Sequence, residues 1–260
     1  MERPKFLFVD PAPFTVGKVI YSGGKVAVRE KFALDCGLLR VFVGGAAFEA
    51  YPPAGMNVDL GMKRNYSLGG ELAKQGIITL TGGTPVKSFP HAAAKGAADS
   101  GGIAICMIPD GGINVDEERW QPYSLVYMLD TGMGYDQADF CWSNPARVVG
   151  AHIGIYAGGK QGTNMEMAVD RQLCSDRAMG IIPGVGGIAD MQRDIYPFLN
   201  GGHPLVASHD MAEMATKIKR NGMRVKDFVD TKMPFLVDSL IAAGIRVTNH
   251  HRNLEQIAKA

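Results

Sequence analysis

Cysteine is scarce in this chain, with four among 260 residues: Cys36, Cys106, Cys141 and Cys174. No two are close enough for a CxxC pair, so neither a zinc ribbon nor a dithiol redox motif is present. Cys106, inside the apolar run "IAICMIP", reads as a core thiol. An excess of one charge is also missing. Lys plus Arg number 27 and Asp plus Glu 26, a formal charge of +1. That balance excludes a bulk electrostatic grip on nucleic acid or on an acidic membrane. No apolar run reaches the roughly 20 residues that a bilayer-spanning helix needs, and no secretory leader pattern opens the chain. A soluble cytoplasmic protein is expected. The adjacent His250 and His251 point in different directions, and no carboxylate or cysteine completes a ligand set, so no metal site is expected. Ser67, Ser88 and Ser100 lack the strand–turn–helix setting of a nucleophile elbow.

Glycine, by contrast, is abundant, at 33 residues. It falls in pairs at the ends of apolar runs: Gly44-Gly45, Gly82-Gly83, Gly158-Gly159 and Gly186-Gly187. Those runs, "LRVFVGG", "IITLTGG", "IAICMIP", "YSLVYMLD", "AHIGIYAGG" and "RAMGIIPG", do not alternate with polar residues. Uninterrupted apolar strands are buried on both faces, as in parallel sheets covered by helices. Helical stretches lie between them: one ends at Gly76, one is the Ala-rich "HAAAKGAADSGG", one covers residues 135–147, and one runs from Asn164 to about Leu173. Two further helical segments, "DMAEMATKIKRNG" and "MPFLVDSLIAAG", precede a short strand "IRVTN". The fold class is α/β: a doubly wound, mostly parallel Rossmann-like sheet with helices on both faces. Before it, "KVIYSGGKVAVRE" reads as a β-hairpin around Ser22-Gly23-Gly24. The division expected is an N-terminal β appendage over 1–38 and a Rossmann-like nucleotide-binding domain over 39–260.

In such sheets ligands bind beyond the carboxyl ends of the strands, where the glycine pairs lie. The segment "IGIYAGGKQGTNMEMAVD" has the form strand, Gly158-Gly159, spacer, Gly162-Thr163, helix. Bare backbone at a helix N-terminus suits a phosphate, although the spacing is neither a Walker loop nor GxGxxG. Glycines of this kind also serve tight turns. Thr163 and Glu166 equally match a capping box, with Thr at the N-cap and Glu reaching back to its N–H. "IIPGVGGIAD", with Asp190, either lines the cleft or makes a turn. The methionines of "MEMAVD" and "MAEMATKI" read as core or subunit-interface packing, and Trp120 or Trp142 is a candidate to stack on a base.

Taken together, "VFVGG", "LGGELAKQGIITLTGG", "AAAKGAADSGGIAICMIP", "DTGMG" and "GAHIGIYAGGKQGTNMEMA" resemble the Lonely Guy family. Its members were long described as possible lysine decarboxylases and share a superfamily with molybdenum-cofactor carrier proteins. The family's PGGxGTxxE signature corresponds here to Gly158-Gly159, Lys160-Gln161, Gly162-Thr163 and Glu166, with a spacer one residue longer and Ala157 in place of Pro. The resemblance implies hydrolysis of the N-glycosidic bond of a purine nucleoside 5′-monophosphate. Glu166 would be the catalytic carboxylate. Gly44, Gly45, Gly82, Gly83, Gly158, Gly159, Gly162 and Thr163 would hold the phosphate-bearing ligand. No separate cofactor and no nucleic acid are implied, and a homodimer or higher homo-oligomer is. The family's hydrolases carry an Arg after the fourth strand, where this chain has Asp136 and Gln137; Arg147 lies further along and substitutes for it only if its helix turns it inward. Their GxxGLM stretch is replaced by "TPVKSFPH", in which Lys87 and Ser88 offer another grip on an anion. The alternative from the same resemblance is a carrier that holds a nucleotide or a molybdopterin-type cofactor without turnover.

Overall fold

A computed structural model of the chain describes residues 14–16, 19–21, 38–48, 55–82, 84–109, 117–130, 144–199, 204–242 and 246–250. Strands β1 (Phe14–Val16) and β2 (Val19–Tyr21) pair antiparallel in a two-stranded sheet of their own. This hairpin precedes Ser22-Gly23-Gly24, which lie outside the described residues.

The main sheet starts with β3 (Arg40–Gly45), followed by α1 (Val58–Lys74), β4 (Ile78–Thr81), α2 (Phe89–Asp99) and β5 (Ala104–Pro109). A short α3 (Glu117–Trp120) leads to β6 (Leu125–Asp130). Then come α4 (Asn144–Val149), β7 (Ile153–Ala157), α5 (Gln161–Leu173), β8 (Met179–Ile181), α6 (Gly187–Leu199) and β9 (Leu205–Ala207). The last elements among the described residues are α7 (Met211–Ala242) and β10 (Arg246–His250). The strand order is β10-β6-β5-β4-β3-β7-β8-β9. All pairings are parallel except β10 on β6. The doubly wound α/β reading holds, and the fifth apolar run lies beside the first.

The apolar runs form strands for the reason their composition suggested. Every residue of β4, β5 and β7 is buried, because helices cover both faces. One core cluster joins Val41, Val43, Ile153 and Ile155 of the sheet to Leu68, Leu72, Met214 and Ile218 of the helices. Helices α1 and α2 approach backbone to backbone. A side chain on Gly69 would strike the Ala93 carbonyl, and one on Gly96 the Tyr66 carbonyl. The two C-terminal helical segments are one helix of 32 residues, continuous through Gly222 and Pro234. Its first turns carry an apolar stripe against the core: Met211, Met214, Ala215 and Ile218. Strand β9 and helix α6 were not anticipated.

At the amino ends of β3 and β7, charge is buried. Arg40 is fully buried; its Nη2 lies 2.7 Å from Asp230 Oδ1, and its Nε donates to the Gly150 carbonyl at 2.8 Å. His152 Nδ1 accepts from the Arg40 N–H at 2.9 Å, so Nε2 carries the proton donated to Asp230 at 3.1 Å. Burial lowers the His152 pKa, with Asp230 opposing and Arg40 and Lys226 assisting. Burial acts to raise the Asp230 pKa, but hydrogen bonds from His152 and Lys226 and the charge of Arg40 hold it well below the carboxylate range.

Two outcomes are expected. Replacing Asp230 by Asn removes the counter-charge of a buried guanidinium and should cost roughly 2–3 kcal/mol in urea unfolding. In the wild type the unfolded chain takes up protons on histidine below about pH 6.5 while native His152 and His91, both shifted down by burial, do not. The unfolded state then binds more protons, so the urea midpoint should fall between about pH 7 and about pH 5, and fall less in His152→Asn.

Candidate functional site

Strands β3 and β7 are neighbours, yet the chain leaves β3 toward β4 on one side and reaches β7 on the other. The crevice beyond such a reversal is where doubly wound sheets bind ligands. Glycines from three strand ends converge there: Gly44-Gly45 ends β3, Gly82 follows β4, and Gly158-Gly159 follows β7. Gly83 lies outside the described residues.

The glycines at β3 and β4 give way to the protein's own side chains. A Cβ on Gly44 would collide with the Glu166 carboxylate, and one on Gly82 would lie 2.9 Å from the Arg147 guanidinium carbon. Arg147 Nη2 stands 3.6 Å from Glu166 Oε1, with the two side chains 3% and 13% exposed. Arg147 reaches this point from α4, which Pro145 opens at its second residue. Its Nη1 donates to the Met107 carbonyl at 3.0 Å, its Nη2 donates to Asn144 Oδ1, and the guanidinium lies over the Phe42 ring, 5.9 Å from the centroid. Arg147 therefore turns inward and supplies a cation to the crevice. Asp136 and Gln137 lie outside the described residues, as do Trp142, Cys36 and Cys141.

Helix α5 begins at Gln161, three residues before the start read from the sequence. Lys160 is the N-cap and its side chain makes no capping bond, so the Thr163–Glu166 capping box does not form. Its spacing is also that of two residues on one helical face (i, i+3), and that is the use made of it. Thr163 is buried beneath Gly159, at the place a side chain there would need. Gly159 has φ +84°, a left-handed conformation that glycine adopts without strain. One turn further on the same face, Asp170 is fully buried. Tyr156 Oη donates to its Oδ2 and Arg177 Nε to its Oδ1, each at 2.9 Å. Burial pushes the Tyr156 pKa well up, which keeps the hydroxyl a donor. Burial disfavours the Arg177 charge, but Asp170 outweighs it and the pKa rises. This clamp ties α5 to β7 and thereby fixes the direction of Glu166.

The loop between β7 and α5 uses its own hydrogen-bonding groups internally. Gly158 and Gly159 are buried. The Gly159 N–H donates to Met56 Sδ at 3.3 Å, and a Cβ on Gly158 would lie 2.7 Å from that sulfur and 2.8 Å from the Phe89 ring. The Gly158 and Gly159 carbonyls accept from Ala189 at 3.0 Å and Ile188 at 3.1 Å. Asp190 accepts from the Gly184 and Gly186 N–H groups at 2.9 and 2.6 Å. "IIPGVGGIAD" is therefore a turn that seats α6 on the glycine loop. The first-turn amides of α5 find no acceptor within the helix. A Cβ on Gly162 would meet nothing within 4 Å. A depression of about 430 Å³ opens beside these amides, lined by Gly159, Lys160, Gln161, Asn164, Gly187 and Met191 among others.

Lys87 is exposed and Ser88 caps α2 through the His91 N–H at 3.2 Å. Sequence reasoning missed Asn144, Asp170, Tyr156, Met56 and Phe89. Only Asp170 left a signal, a carboxylate at i+4 from Glu166 on an otherwise apolar helical face. Among the described residues no group of three potential metal ligands occurs, and no helix is long and apolar enough to cross a membrane.

A family model, the SLOG cluster4 family, matches residues 53–182. No curated protein sequence matches the chain. Several solved structures share the fold. The molybdenum cofactor carrier protein of Chlamydomonas reinhardtii aligns over 70% of this chain and 97% of its own, with TM-score 0.51 and 20% identity. The molybdenum cofactor binding protein of the phototrophic bacterium Rippkaea orientalis aligns over 70% and 96%, with TM-score 0.52 and 18% identity. DNA processing protein A of Helicobacter pylori, described with a single-stranded DNA binding mode, aligns over 72% and 83%, with TM-score 0.54 and 13% identity.

Gly159→Ala should be costly, because φ is positive and the Thr163 side chain fills the space. A loss of roughly 2 kcal/mol or more is expected in urea unfolding, with Gly162→Ala, where the space is open, within about 1 kcal/mol of wild type.

Proposed function

The chain belongs to the SLOG cluster4 family, and from that premise we propose that it binds a purine nucleoside 5′-monophosphate at the carboxyl ends of β3, β4 and β7 and hydrolyses its N-glycosidic bond. The observation that carries this reading is the Arg147–Glu166 pair seated over the side-chain-free ends of β3 and β4. An N-glycosidic bond breaks with positive charge growing on the ribose, and a held carboxylate stabilises that charge or orients the attacking water. Arg147 holds the Glu166 carboxylate in direction. In the reaction water adds a hydroxyl to the anomeric carbon. The bonding pair leaves with the base, which takes up a proton, and ribose 5-phosphate remains.

The 5′-phosphate is assigned to the first-turn amides of α5 around Gly162 and Thr163, with Lys160 beside them. Four residues, about 6 Å of helical rise, separate Gly162 from Glu166. That span suits a ribose between a phosphate at the helix end and an anomeric carbon at the carboxylate. Gly158 and Gly159 then shape the site, and Gly45 borders it.

The carrier reading is favoured by one observation. Phe89 and Met56 occupy the space against Gly158 and Gly159, so the loop donates less to a phosphate than its sequence suggests. Shared fold with the two molybdenum-cofactor proteins agrees with that alternative. The homo-oligomer and the division at residue 38 are part of the same proposal.

Incubation with AMP, followed by chromatography, should release adenine. Glu166→Gln and Arg147→Met should each lower the rate by roughly 10²–10³-fold. AMP that stabilises the protein against heat without any release of adenine would instead establish the carrier.

A further inference from the structure

Two side chains hold the glycine loop between β7 and α5, and they differ in freedom. Phe89, at the start of α2, is fully buried, and a Cβ on Gly61 of α1 or on Gly158 would strike its ring. Helix α1 and the loop therefore clamp it in place. Met56 stands one residue before Asn57, the N-cap of α1, and is half-buried. Its backbone is anchored on both sides. The Asn57 N–H donates to the Val185 carbonyl at 2.8 Å, and the Gly55 carbonyl lies against Gly186, where a Cβ would strike it. The Met56 side chain, by contrast, is unbranched and turns about three rotatable bonds. A Cβ on Gly55 would meet nothing within 4 Å, so open space borders the segment.

The Met56 sulfur lies against three glycines at once. The Gly159 N–H donates to it at 3.3 Å, and a Cβ on Gly158 or Gly187 would lie 2.7 or 2.9 Å from it. Gly159 and Gly187 also line the depression beside the first turn of α5. The thioether thus abuts the wall of the place assigned to the phosphate, and it takes up the Gly159 donor. As an acceptor it is poor, because a thioether sulfur is neutral and binds N–H groups weakly. A hydrogen bond from the same N–H to a phosphate oxygen is charge-assisted and roughly twice as strong as a neutral one. An anion that reaches this N–H therefore gains by taking it from sulfur.

We propose that Met56 is a displaceable plug, an autoinhibitory contact built into the phosphate site. Its thioether holds the Gly159 N–H until a phosphate oxygen takes that N–H. The thioether then swings out by side-chain rotation toward the open space beside Gly55, while the backbone of residues 55–57 keeps its anchors. Phe89, clamped by α1, stays. This rests on the assignment of the phosphate to the entry of α5. The plug lowers the apparent affinity for the anion by the fraction of molecules in which the sulfur is out of the way.

Titration of the full chain with inorganic phosphate at constant ionic strength tests the plug, read by NMR at the Gly159, Gly162 and Thr163 amides and at the Met56 methyl. All four signals should move saturably with one midpoint, and Met56→Ala should bind phosphate roughly fivefold more tightly. The wild-type signals need no variant to fold. If Gly162 and Thr163 respond while Gly159 and the Met56 methyl stay still, the plug is overturned and the phosphate assignment stands. If Gly159 responds only in Met56→Ala, the thioether is a fixed wall and the plug is again overturned. A Met56→Ala affinity no higher than wild type overturns it as well. If no signal moves in either protein, the plug and the phosphate assignment fall together.

Discussion

Burying a carboxylate beside a guanidinium is the constraint from which the crevice takes its form. Each ion loses several kcal/mol of hydration when it leaves water, and the loss is offset only if every charged atom finds good partners. Arg147 is supplied with a carbonyl, an amide oxygen, an aromatic face and the Glu166 carboxylate. Room for this comes from what is missing at the ends of β3 and β4. A β-carbon on Gly44 or Gly82 would occupy the volume of the carboxylate or the guanidinium. The strand-end glycines here make space for two of the protein's own charges.

Glu166 can serve such a site only if α5 cannot rotate or slide. Two contacts prevent it, one turn to either side. Thr163 is locked beneath Gly159, and Asp170 is held by Tyr156 and Arg177. Thr163, Glu166, Met167 and Asp170 form one stripe, so a rotation that displaced the carboxylate would also break a buried ionic clamp. Tyr156 further donates to the Glu166 carbonyl at 3.3 Å, anchoring the backbone of that residue.

The sheet was legible because both-face burial leaves an unmistakable record: apolar runs without alternation, each stopped by glycine. Helix starts were less legible. T-x-x-E fits a capping box and a helical face equally well, and only the packing of Thr163 under Gly159 separates them. The short β9, "LVA", carries too few residues for a periodic signal. Helix α7 runs through a glycine and a proline that argue locally for a break. Of the candidate site, the glycine pairs stood out at the strand ends, whereas Glu166 entered as a catalytic carboxylate only through the family resemblance; spacing alone offered it equally as half of a capping box. Arg147 was a substitute for the family's arginine only on condition that its helix turned it inward, and that direction depends on where α4 sits against Met107 and Phe42, contacts about 40 and 100 residues away in sequence.

The glycine loop shows how one motif divides its labour between ends of helices. Both α5 and α6 begin at it. The first amides of α6 are taken by the carbonyls of Gly158 and Gly159, and Asp190 already places a carboxylate at that positive helix end. An anion gains little there. Helix α5 has neither a side-chain cap nor an acid in its first turn, and Lys160 stands at its entry. The field and the donors that remain belong to α5 alone, one turn and a little more from Glu166. In the sequence the phosphate-binding look is spread over Gly158-Gly159 and Gly162-Thr163; of these, the glycine pair spends its carbonyls on α6, and the uncapped amides head the helix that also carries the Glu166 carboxylate.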